Sequence, residues 1–298
     1  ITFLSFFTCM FFASSILAQT TYYVKSGGNN AGGLDEANAF STVNNARLAA
    51  SNGDNIIIVG AITQTGQVTI DKSLSFQSQS NAVITGVDGV SNKLYLIDTN
   101  VTVSFTDIRF TGSTNKTSNG AVLSLVAAST SSANVSFTNC VFDNNTTTGA
   151  VQGGAIYTEI GTLNFTNCTF SNNVAGKSGG AIYVNAAQKP SVNITGCTFY
   201  NNLAQGIGGS DGGGAILSEG VVVSPATSPA TYTGQVTITN CTFFENKTTR
   251  SSTDYGAIRS TNTNISVTNS LFYNNKINAG SGASSDFGSA PAGTQTFT

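Results

Sequence analysis

The sequence predicts an all-β fold: a right-handed, single-stranded parallel β-helix with a short N-terminal capping helix. Three observations predict it. A motif recurs with a period near 29 residues, each period holds three short strand-forming runs, and charged residues are only 9% of the chain while regularly spaced Val, Ile, Leu and Phe supply a core. A disordered chain would lack that apolar material, and a net charge of −2 gives no basic footprint for nucleic acid.

The repeat is read first, because a missed repeat mis-assigns the whole fold. Phe137–Asn145 (FTNCVFDNN) returns as Phe165–Asn173, Ile194–Asn202, Ile238–Asn246 and Val267–Asn275. The shared threonine falls at Thr138, Thr166, Thr195, Thr239 and Thr268, giving spacings of 28, 29, 44 and 29. The long spacing carries an insertion, placed at Ser218–Gly234. A second motif lies between the copies: Gly153–Tyr157, Gly179–Tyr183, Gly213–Leu217 and, in weaker form, Tyr255–Arg259 and Asn119–Leu123. Each period therefore supplies one run around Ala-Ile, one ending at Phe137 or its equivalents, and one from Cys140 to Phe142.

Alternation sets the faces, since Val135 with Phe137 and Cys140 with Phe142 lie two apart and point inward. The bend between them ends on Asn139, Asn167, Gly196, Asn240 or Asn269. Asn exchanging with Gly is what a left-handed backbone selects, so positive φ is expected at all five. In-register stacking then predicts an interior ladder of Phe142, Phe170, Phe199, Phe243 and Phe272, and an amide ladder of Asn145, Asn173, Asn202, Asn246 and Asn275 at a turn. Cys140, Cys168, Cys197 and Cys241 should stack as free interior thiols. The fifth copy replaces them with Ser270 and the chain has no His, so neither a disulfide framework nor a metal site is expected.

Other segments follow from these. Val101–Phe110 is a weaker copy, Val68–Phe76 and Ile56–Val59 read as earlier strands, and about eight turns are expected at the repeat's own period. Ala37–Ser51 carries Phe40, Val43, Ala46 and Ala50 at helical spacing and is expected to cap the solenoid end. Ile1–Ala18 is an uncharged apolar run ending in small residues, the pattern of a secretory signal. The expected organisation is signal peptide 1–18, N-terminal cap and first strand 19–54, and parallel β-helix 55–298. Gln295–Thr298 repeats the start of the motif, with Thr298 30 residues after Thr268, so the helix is expected to be cut mid-rung.

The paired motifs Gly153–Ile156 and Phe142–Asn145, with their later copies, resemble the repeats of chlamydial polymorphic outer membrane proteins. They are also similar to many secreted bacterial β-helix proteins of the pectate-lyase-like superfamily. The resemblance covers roughly Asn119–Asn275, and Tyr22–Gly28 with Ala39–Phe40 and Gly53–Asp54 resembles the N-terminal segment of such proteins. It implies a bacterial passenger, secreted or held at the outer membrane or cell surface, acting as an adhesin. Any membrane attachment would come through an anchor or sorting domain outside these residues.

The residues themselves nominate no catalytic group. Asp143, Glu159, Asp211, Glu219, Glu245 and Asp254 are scattered at non-equivalent positions, which argues against the paired carboxylates of a hydrolase. Asp143 and Glu245 read as parts of a solvated turn, and Arg250, Asp254 and Arg259 as surface pairs. Gly206–Gly214 lacks the Gly-Lys-Ser/Thr ending of a phosphate-binding loop. No cofactor is expected. The expected partner is a glycan or a protein of a host or neighbouring cell, bound on a long sheet face or on the Ser218–Gly234 insertion. A polysaccharide lyase or other carbohydrate-active enzyme, and a passive spacer, are the alternatives.

Overall fold

The computed structural model describes residues 18–87, 94–97, 100–126, 133–206, 212–220, 222–224, 231–232, 234–249, 255–277, 286–290 and 295–297. All of the expected signal peptide but Ala18, together with Asp211, Arg250, Asp254 and Thr298, lies outside the described residues. What remains is a parallel β-helix.

The strands of successive turns pair in parallel, forming one sixteen-stranded, one eight-stranded and one six-stranded ladder. The sixteen-stranded assembly has two arms. Its long arm stacks Thr102–Thr106, Asn134–Thr138, Thr162–Thr166, Ser191–Thr195, Gln235–Thr239 and Asn264–Thr268. Its short arm stacks Arg109–Thr111, Val141–Asp143, Thr169–Ser171, Thr198–Tyr200, Thr242–Phe244 and Leu271–Tyr273. Both arms spring from one continuous strand, Leu74–Gly86, which pairs with Thr102–Thr106 through its first half and with Arg109–Thr111 through its second. From the next turn onward a bend splits that strand in two. The bend residue is left-handed in every copy, with φ of 57° at Asp107, 53° at Asn139, 54° at Asn167, 65° at Gly196, 57° at Asn240 and 47° at Asn269.

The eight-stranded sheet closes the third side, from Val68–Ile70 to Phe287–Ala290, and matches the expected number of turns. It is led in by the paired glycines, which have separate jobs. Gly153, Gly179 and Gly213 take positive φ between 65° and 68°, while a Cβ on Gly154, Gly180 or Gly214 would lie within about 2 Å of a carbonyl oxygen on the next turn. Gln295–Phe297 stacks in register on Ile265–Val267, as the motif spacing requires.

Inside, the expected ladder is present: Phe142, Phe170, Phe199, Phe243 and Phe272 stack at 4.7–4.8 Å with planes within 4°. A second ladder from the long arm, Phe76, Phe105, Phe137 and Phe165, runs beside it and gives way to Ile194, Ile238 and Val267. Each buried ring contributes roughly 1.5–3 kcal/mol of transfer free energy. The cysteines occupy the bend, one residue before the short strands, and all four thiols are free and buried. Ser270 takes the next place in their column, accepting from the Cys241 N–H at 3.1 Å as Cys197 and Cys241 Sγ accept from the turns before them.

Several expectations need correction. The capping helix covers only Val43–Ala49, because Phe40 forms a bridge with Val24 and residues before Ser41 follow the first strand, Thr21–Lys25. Its buried Val43 and Ala46 face the core, and Lys72 Nζ caps its last carbonyls, donating to Ala50 O at 2.6 Å and Arg47 O at 3.0 Å. Val68–Phe76 is two strands, Val68–Ile70 and the start of Leu74–Gly86. The insertion begins after Ile216–Glu219, which is still a regular rung, and contains a small antiparallel pair, Val222–Ser224 with Thr231–Tyr232.

Candidate binding face

Each turn has two adjacent corners next to the short arm, and they differ in what they show to solvent. On the inner side, Asn145, Asn173, Asn202, Asn246 and Asn275 are fully buried. Each Nδ2 donates to the amide oxygen of the next turn at 2.8–3.0 Å, from Asn145 through Asn246, and to a phenylalanine carbonyl of the previous turn at 2.9–3.1 Å. Each Oδ1 from Asn173 onward also accepts the backbone N–H of the asparagine before it. All four hydrogen-bonding sites are thereby used, which a buried amide requires. The preceding residue, Asn144, Asn172, Asn201, Glu245 or Asn274, is left-handed too, with φ of 50–55°. A turn was expected at the amide ladder; the left-handed residue before each buried asparagine was not, although the Asn-Asn pairs were its signal.

On the outer side the short strands present a column in register: Thr111, Asp143, Ser171, Tyr200, Phe244 and Tyr273. Tyr200, Phe244 and Tyr273 stack at 5.4 Å with planes 10–11° apart, and Tyr200 and Tyr273 are 38% and 63% exposed. Beside them lies Leu271, also exposed. The amides form an edge to this face, Asn201 Nδ2 donating to Asn172 Oδ1 at 2.8 Å and Lys247 Nζ to Asn201 Oδ1 at 2.9 Å.

Asp143 does not lie in a solvated turn. Its side chain is 7% exposed and is gripped by Arg109 of the previous turn, Nε to Oδ1 at 2.9 Å and a terminal nitrogen to Oδ2 at 2.5 Å. The parallel register places Arg109 beside Val141, close enough for a two-pronged bond, and the carboxylate holds the guanidinium pKa above its ordinary value. Arg109 also borders an open cleft of about 540 Å³, lined with it by Ser78, Ser80, Asn81, Asp107 and Asn139 among others. The cleft exists where the long strand, left-handed at Ser80 and Asn81, yields to the first split turn.

The third sheet has a smaller polar group on its outer face. Tyr157 and Tyr183 stack at 5.6 Å, donating to Glu159 at 3.0 Å and Glu219 at 2.5 Å, while Asn185 Nδ2 donates to the Tyr157 hydroxyl at 3.3 Å. Burial pushes the Tyr157 phenol up to about 12. Arg259 follows Leu217 in the same column and is buried there, so it is not a surface residue as expected. Glu245 accepts from Asn274 at 3.2 Å. Among the described residues no three His, Cys, Asp or Glu side chains gather to hold a metal, and no helix is long and apolar enough to cross a membrane.

Comparison with known proteins agrees with this architecture. Residues 153–296 match the family described as right handed beta helix region, and the parallel turns seen here are those of that class: the chain is a right-handed parallel β-helix. Residues 139–159 match the Chlamydia polymorphic membrane protein repeat. Among solved structures, the pectin methylesterase from Aspergillus niger in deglycosylated form aligns with a TM-score of 0.40 and 15% identity over 93% of each chain. No curated protein matches the sequence.

Proposed function

We propose that this protein is an exported bacterial β-helix passenger of the cell surface, and that it binds a glycan or a surface protein of another cell through the outer face of its short strands. The observation that carries this reading is the contrast within one repeat. Positions that build the turn recur almost unchanged, while the outer column changes from acid to hydroxyl to aromatic and leaves Tyr200 and Tyr273 exposed on a rigid sheet. Exposed aromatic rings with amide neighbours on a fixed scaffold suit recognition more than they suit solubility. The match to a membrane-protein repeat and the apolar segment at residues 1–18 support a surface or secreted place.

The test is a glycan array and a cell-adhesion assay on the mature protein, beside an absorbance assay for unsaturated uronates from pectin and alginate. Saturable binding without turnover is expected. Product formation would replace this reading with a polysaccharide lyase, and silence in all three assays would leave a passive spacer.

A further inference from the structure

The outer column contains a notch one residue wide. Tyr200 is covered on one face by Phe244, at 5.4 Å and 11°. Its other face looks back along the solenoid axis over Ser171, whose small side chain cannot cover a ring. One turn further back stands the Asp143 carboxylate, held by Arg109 and by Asn144 Nδ2 at 2.8 Å. Two turns at roughly 4.8 Å each separate the ring from the carboxylate by about 10 Å. A flat ring resting about 4 Å from the tyrosine would then leave about 6 Å to the Arg109–Asp143 pair, a gap that one bridging water spans.

We propose that the notch over Ser171 is a binding subsite for one neutral pyranose of a glycan chain. The inference rests on the binding reading above and names the chemistry of that face. A pyranose has a C–H face for Tyr200 and hydroxyls that both donate and accept, matching a guanidinium and a carboxylate fixed side by side. Charge selects against an anionic sugar. Arg109 is already matched by Asp143, and Lys247, on the turn beyond Tyr200, is engaged with Asn201 Oδ1. The end of the notch beyond Ser171 therefore offers a uronate or a sulfate no unmatched cation. Further along the column Phe244 is stacked on both faces, by Tyr200 and by Tyr273, whereas the Tyr200 face over Ser171 meets no ring.

Calorimetric titration of the mature protein with cello-, manno-, xylo- and maltohexaose, and with hexagalacturonate, tests this. One neutral series is expected to bind, with affinity reduced at least tenfold by Tyr200→Ala and retained by Tyr200→Phe. Ser171→Tyr is the decisive variant: it continues the aromatic column, leaves Tyr200 in place and closes its free face, and it should lose binding to the same extent. Should Ser171→Tyr fail to fold, the Tyr200 pair carries the test. Full affinity in Tyr200→Ala or in a folded Ser171→Tyr, preference for the galacturonate, or no neutral ligand at all would each overturn the subsite. If cell adhesion persists in any of those cases, the notch falls and the surface-binding reading stands.

Discussion

Asp143 and Asn145 are two residues apart, yet they belong to regions under opposite constraints. The column through Asn145 is asparagine in five successive turns, sealed from solvent and hydrogen-bonded at every polar atom. The column through Asp143 is never the same residue twice until Tyr273 echoes Tyr200. A buried amide whose partners are the copies above and below is costly to replace, because a change strands its neighbours' donors. An outward position touches only its nearest neighbours and solvent, so its identity is open to use.

The strongest way to break this contrast is Asn202→Ala. It removes the acceptor for both the backbone N–H and Nδ2 of Asn173 and the donor to Phe170 O. With each buried unsatisfied group costing roughly 1–3 kcal/mol, a loss of about 4 kcal/mol is expected in urea unfolding. A cost near that of a surface change would show that the amide ladder is ornamental.

Alkaline pH probes the interior with a smaller effect. The Cys168 and Cys197 thiols are pushed up to about 12, first by the neighbouring Cys140 and Cys168 thiols and then by burial. Their folded values lie above the unfolded ones, so the stability they confer is complete below about pH 8.5 and is lost as the pH climbs toward the folded values. A decline on the order of 1 kcal/mol per thiol by about pH 9.5 is expected. Cys168→Ser/Cys197→Ser, which copies the Ser270 arrangement, should flatten that decline; an unchanged profile would assign it to other groups.

The smallest effect belongs to the outer column. Tyr200→Ala should shift stability by no more than about 0.5 kcal/mol, measured in the same urea series, while its binding falls. A large loss of stability would make the aromatic column part of the scaffold and weaken its claim to function.

The sequence by itself determined the repeat, the number of turns, the left-handed bend at Asn139 and its equivalents, and the three stacked columns of Phe, Asn and Cys. These follow from local backbone preference and from period, because in a solenoid a residue's neighbours are its own copies one period away. What the sequence did not reveal lay across the turns. Asp143 looked like a solvated acid because its partner, Arg109, sits 34 residues earlier and in a degenerate copy. Arg259 looked superficial because its burial is settled by the face of the third sheet and not by its charge. The helix was over-read by several residues, since Phe40 had a strand partner in Val24 that no periodicity announces. The notch between Asp143 and Tyr200 is of the same kind. Only parallel register brings a carboxylate, a small residue and a ring from three different turns into one line, and that order is a property of the stack.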